Sequence, residues 1–324
     1  MPRLPRSCLF HSCSLSPLAG ALSFVMVCLP ACAQPVLPDS PPGNTPEQPK
    51  GDLGEAAQAA GIAADASEQE QQEKLNALLA NLDKADRETA GLRTNIMHVS
   101  ENFITGLVET RKGTLTLRTD WDAAKDHPSG LPLRRFLVHF TSLQLGQREA
   151  PVNTRYIFDG TWLAERLEDE KQFNKWQMVP PGERFDPMDK LQGAAVWLPI
   201  GQDTAKLRER YDATVVGQTD YFAGEAMGEL LKSVVTNKDG SVQLRLVPKD
   251  SEDPTKEIRM WFDAKSFLPR AHAVLDGEGV QVSTLFGAKP NPGDIKPSDF
   301  DTTTPPAKDG WDATIRPWRE GAGG

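Results

Sequence analysis

From residue 92 to residue 286, segment after segment alternates apolar and polar side chains with a period of two. LRTNIMHVSE at 92–101 reads as a strand. ETRKGTLTLR at 109–118 sets Leu115 and Leu117 on one side and Thr114, Thr116 and Arg118 on the other. RFLVHFT at 135–141 groups Phe136, Val138 and Phe140 in the same way. TRYIF at 154–158 runs into Asp159-Gly160, a strong turn signal, and TWLAERL returns as its hairpin partner. QFNKWQMV at 172–179 extends the meander, and DATVVG at 212–217 is a further strand. VQLRLV at 242–247, the Ile258, Met260 and Phe262 alternation of KEIRMWF, RAHAVLD at 270–276 and VQVSTLF at 280–286 follow. Successive side chains of a strand point to opposite faces, so each segment offers one apolar face. Short one-sided strands joined by turns imply a largely antiparallel sheet.

The helical period occurs in few places. Leu75, Leu78, Leu79, Leu82 and Ala85 form one stripe and predict a helix over 68–87. After Pro180-Pro181-Gly182 breaks the strand pattern, 188–198 and 204–211 read as short helical pieces and 224–235 as a helix. The expected domain is therefore an α+β unit over 70–304, long enough for one substantial core. It follows a Pro/Ala/Glu/Gln-rich linker at 34–69 that reads as disordered, and 305–324 reads as a loose tail.

All four cysteines, Cys8, Cys13, Cys28 and Cys32, precede that linker. The domain therefore has no disulfide, no cysteine metal ligand and no cysteine nucleophile. Arg3 and Arg6, then the apolar stretch 15–29, form a secretory signal over 1–33. Its end, VCLPACAQP at 27–35, can be cut in two ways. Ala31-Cys32-Ala33 is a small-x-small site that would release a soluble protein. Leu29-Pro30-Ala31-Cys32 is similar to a lipobox, which would make Cys32 a lipidated N-terminus.

A net charge of −9 argues against a nucleic-acid partner. The histidines His11, His98, His127, His139 and His272 show no metal-ligand spacing, and the acidic run 165–171 lacks that of a calcium loop. No G-x-S-x-G, P-loop or H-E-x-x-H stands in the chain. The expectation is a non-enzymatic protein with no cofactor, no metal and no catalytic residue. Trp121, Trp162, Trp176, Trp197 and Trp261, spread over separate elements, either line an apolar ligand cavity or fill the core.

The ordered set of elements resembles the LolA/LolB-like superfamily of periplasmic lipoprotein carriers and lipoprotein-sorting proteins. The resemblance covers nearly all of 70–306. It rests on the leading helix EKLNALLANL and the G-x-L-x-L strand Gly113 to Leu117. It continues through the D-G-x-x-L hairpin Asp159 to Leu163, the strand VQLRLVPKD and the closing I-x-P-S-D-F, Ile295 to Phe300. It implies a strongly curved, half-open antiparallel sheet, an incomplete barrel, with the leading helix and short helices covering a concave apolar cavity for acyl chains. Candidate cavity residues are Leu115, Leu117, Phe136, Val138, Phe140, Ile258, Met260 and Phe262. Arg118 stands where the family has an arginine that ties the lid, here followed by Thr119 rather than proline. The implied function is carriage or acceptance of lipid acyl chains or lipoproteins by a monomer in the cell envelope, with a membrane-anchored donor or acceptor protein as partner. An envelope sensor of the RseB-like type and an anchored structural lipoprotein are the alternatives.

Overall fold

The period-two segments pair into one open sheet. The computed structural model describes residues 54–184, 204–217, 231 and 240–318, all within the unit Leu53–Gly324. Its strands are β1 (Gly91–Asn102), β2 (Leu107–Asp120), β3 (Leu133–Leu145), β4 (Arg148–Phe158), β5 (Trp162–Leu167) and β6 (Gln172–Gln177). Then come β7 (Tyr211–Val216), β8 (Ser241–Pro248), β9 (Thr255–Asp263), β10 (Pro269–Asp276), β11 (Gly279–Pro290) and β12 (Asp312–Arg316). Their order across the sheet is β12-β6-β5-β4-β3-β2-β1-β11-β10-β9-β8-β7. Two meanders thus meet where β1 pairs with β11, and β12 and β7 are the two edges. Every pairing is antiparallel except that of β12 with β6.

The helix expected at 68–87 runs from Gly54 to Glu88 as α1. Residues 54–67 are alanine-rich, and alanine propensity extends the helix upstream of its leucine stripe. That stripe buries Leu75, Leu78 and Leu79 against Tyr211, Leu244, Leu246, Ile258, Met260 and Phe262. Burial of each leucine contributes ~2 kcal/mol. The last turn is clasped to β3, where Arg134 donates to both carboxylate oxygens of Asp86 at 3.0 and 2.7 Å. The Trp121 ring lies between Arg87 and Arg134, 5.4 Å from each guanidinium carbon.

A one-turn helix, α2 (Asp122–Lys125), links β2 to β3. The piece expected at 204–211 is α3 (Thr204–Arg210), whose Leu207 is buried in the same cluster as the α1 stripe. The helical pieces expected at 188–198 and 224–235 lie outside the described residues, apart from Leu231.

The stretch expected to be a loose tail is instead ordered over 305–318. Residues 291–318 form a strap along one face of the sheet. Asp294 pairs with Arg93 of β1, and Phe300 is buried at the end of a 3-10 turn. Thr302 accepts a bond from Lys175 of β6 at 2.9 Å, and Trp311 packs on Ala164 and Phe173. The strap ends as β12, which covers the edge of β6. Its five residues are all exposed, so no apolar face marked them in the sequence.

Candidate functional site: an apolar face crossed by polar groups

Strand register places all eight candidate cavity residues on one face. Leu115 stands opposite Val138 and Leu117 opposite Phe136, while Phe140 faces Gly113. Gly113 also pairs with Ile96, which pairs with Leu285 of β11. From β11 the same side continues through Ser283 and His272 to Met260. Met260 faces Leu244, with Ile258 and Phe262 beside it.

The eight nevertheless fall into two clusters. Ile258, Met260 and Phe262 pack beneath α1 and α3 and serve as core for those helices. Leu115, Leu117, Phe136, Val138 and Phe140 join Leu92, Ile96, Phe158, Val179 and Leu285. Among the described residues no helix contributes to this second cluster, and only Val152, Tyr156, Leu163, Met178 and Leu268 pack at its border. Phe136 and Phe158 form a tilted cross-strand pair with centroids 5.3 Å apart.

The glycine of the G-x-L-x-L strand has a steric cause. The register slips between Lys112 and Gly113, and the β3 backbone bulges toward β2 there. A Cβ on Gly113 would lie 2.0 Å from the carbonyl oxygen of His139. In the D-G-x-x-L hairpin, Gly160 takes φ +108°, and Asp159 Oδ1 accepts the backbone N–H groups of Thr161 and Trp162 at 2.8 Å.

Arg118 lies on the opposite face from Leu115 and Leu117. It donates to the carbonyl of Ile295 at 2.9 Å, tying β2 to the closing strap. Of the tryptophans read as cavity or core, Trp261 is fully buried on that same opposite face with Val99, Ala271, Ala273 and Val282, which makes it core. Cys32 and Trp197 lie outside the described residues.

A row of polar groups on the apolar face went unread in the sequence. Arg111 pairs with Glu109 and donates to the Tyr156 hydroxyl at 3.3 Å. Tyr156 donates to Glu165 at 3.0 Å, and Asn174 donates to the other oxygen of Glu165 at 2.9 Å. Burial, reinforced by Glu165, pushes the Tyr156 hydroxyl up to about 12, so it stays a donor. On the other side of Phe140, His98 Nδ1 meets the Ser283 hydroxyl at 2.9 Å. Burial and then the nearby Arg111 hold His98 down at about 4, and burial with His98 holds His272 at about 3. Both imidazoles are neutral at pH 7. The signal was present, because Arg111 shares the parity of Leu115 and Leu117.

A separate feature lies at the β1–β2 hairpin tip, where Phe103 and Ile104 are 55% and 79% exposed and Leu107, Val108 and Leu145 are exposed nearby. Among the described residues, no group of three or more His, Cys, Asp or Glu is placed to hold a metal ion. No helix among them is long and apolar enough to cross a membrane.

No family model and no curated protein matches the chain. Solved structures do. An uncharacterized conserved protein from Thermus thermophilus aligns at 12% identity over 74% of this chain and 98% of its own, with a TM-score of 0.39. A putative outer membrane lipoprotein-sorting protein domain from Vibrio parahaemolyticus aligns at 10% identity over 72% and 97%, with a TM-score of 0.33. A LolA superfamily protein from Nitrosomonas europaea aligns at 11% identity over 69% and 96%, with a TM-score of 0.31. These likenesses are low and carry no functional information of their own.

Proposed function

We propose that this chain is a non-enzymatic envelope protein that binds lipid acyl chains or lipoproteins, as a carrier or as an acceptor in lipoprotein sorting. One observation carries the reading. The cluster built on Leu115, Val138 and Phe140 is a broad apolar surface spanning β1 to β4 and β11, its residues buried, to which no helix among the described residues contributes. The equivalent surface on β8 and β9 is filled by α1 and α3. A chain of methylenes laid on the first surface gains roughly 0.8 kcal/mol per buried CH₂. The open edges at β7 and β12 fit the half-open, curved sheet of the family. The N-terminal signal fits export to the periplasm, with Cys32 either removed or lipidated.

Native mass spectrometry of the mature protein from a bacterial host tests this reading. Co-purified lipid or fatty acid is the expected result, and a clean apo mass under gentle conditions overturns it. The same intact mass reports the cut. Cleavage before Cys32 adds a diacylglyceryl mass that Cys32→Ser abolishes.

A further inference from the structure

The acyl-chain reading leaves the polar row unexplained. Polar groups on an apolar face cost desolvation, so their placement calls for a partner. Arg111 and His98 are directly opposed on β2 and β1, and the Phe140 ring lies beside both. Arg111 uses Nε for Glu109 and one terminal nitrogen for Tyr156, and its second terminal nitrogen has no hydrogen bond among the described residues. His98 is almost wholly buried; its Nδ1 is engaged by Ser283, and Nε2 has no partner among the described residues. In the tautomer in which the Ser283 hydroxyl donates to Nδ1, Nε2 carries the proton. Two neighbouring N–H donors at the end of an apolar floor are thus unfilled among the described residues.

The local charge decides what fills them. One guanidinium stands among two carboxylates, Glu109 and Glu165, the latter held in place by Tyr156 and Asn174. An anionic head would bring a further negative charge beside these two, whereas an uncharged carbonyl brings lone pairs without charge.

We propose that Arg111 and His98 form a head-group subsite for neutral acyl chains joined through an ester or amide, and that Glu109 and Glu165 discriminate against carboxylate and phosphate heads. The proposal rests on the acyl-chain reading above. Arg111 and His98 donate to the carbonyl oxygen while the hydrocarbon lies over Phe140, Val138 and Leu115.

Displacement of the uncharged dye N-phenyl-1-naphthylamine from the full mature protein tests it, with monoolein and oleate as competitors of equal chain length at pH 7.5. On the wild-type protein, monoolein is expected to compete at about tenfold lower concentration than oleate. Arg111→Met should raise the monoolein concentration needed for displacement about threefold or more while dye binding persists. Glu165→Gln, close to isosteric, should let oleate compete about fivefold better and leave monoolein unchanged. Oleate competing as well as monoolein on the wild type, monoolein unmoved by Arg111→Met, or oleate unmoved by Glu165→Gln overturns the subsite. Displacement by both lipids without preference sinks the subsite alone. Failure of dye and both lipids to bind sinks the acyl-chain reading beneath it.

Discussion

His98 and His272 are both held neutral by burial, with folded values of about 4 and about 3 against an ordinary value of 6.5. Below pH 6.5 the unfolded chain takes up protons on both, and the folded chain does not until the pH reaches those lower values. Their contribution is therefore intact above 6.5 and is lost as pH falls from 6.5 toward 4. Urea melts from pH 7 to 4.5 should show this fall, and the double change His98→Gln with His272→Gln should flatten it. Asp263 acts in a separate window. Against burial, which alone would raise it, the N–H groups of Ser266 and Lys265 hold it at about 2, so its contribution is lost only as pH falls below about 3.8. Gly113 gives a second prediction at this scale. Gly113→Ala drives a methyl into the His139 carbonyl, which belongs to the backbone and cannot swing away. A loss of about 3 kcal/mol in the same melts is expected.

Elements were legible where apolar residues recur at every second position. Leu115 and Leu117, or Ile258, Met260 and Phe262, do so, and their strands and shared face could be read even though Thr116, Arg259 and Trp261 between them are buried as well. In β1 the pattern is blurred, because Leu92 and Ile96 are buried on one face while Val99 is buried on the other. Sharing of a face was readable, but separation into two clusters was not, since it depends on where α1 docks. β12 carried no pattern because a parallel edge strand with both faces in water needs none; Trp311 was the available clue. Trp311→Ala removes the wedge that seats this strand on Ala164 and Phe173, and it forfeits stacking by Arg166 at 4.7 Å and Lys171 at 4.9 Å. A loss of about 3 kcal/mol is expected, together with concentration-dependent association through the uncovered β6 edge, measurable by light scattering. At the other end, Asp86→Asn breaks the clasp between α1 and β3. The Arg134 guanidinium is then left half-paired in a largely buried site, and a loss of about 2 kcal/mol is expected by thermal melt.

Among the described residues, the strands of the two meanders are hydrogen-bonded to each other along one seam, β1 against β11. Gly91 and Asn291, joined there by a 3.0 Å hydrogen bond, are 200 positions apart in the chain. Removing everything after Asp276 deletes β11, the strap and β12, and leaves β1 with one neighbour. Such a truncation is expected to be digested rapidly by protease even though its helices and most of its strands are present. The seam also dictates timing. Loop closure over so long a separation is slow, and β11 is made only near the end of synthesis. Until then β1 pairs only with β2, and β10 only with β9. A sheet with this connectivity can be completed only once residues 279–290 have been made.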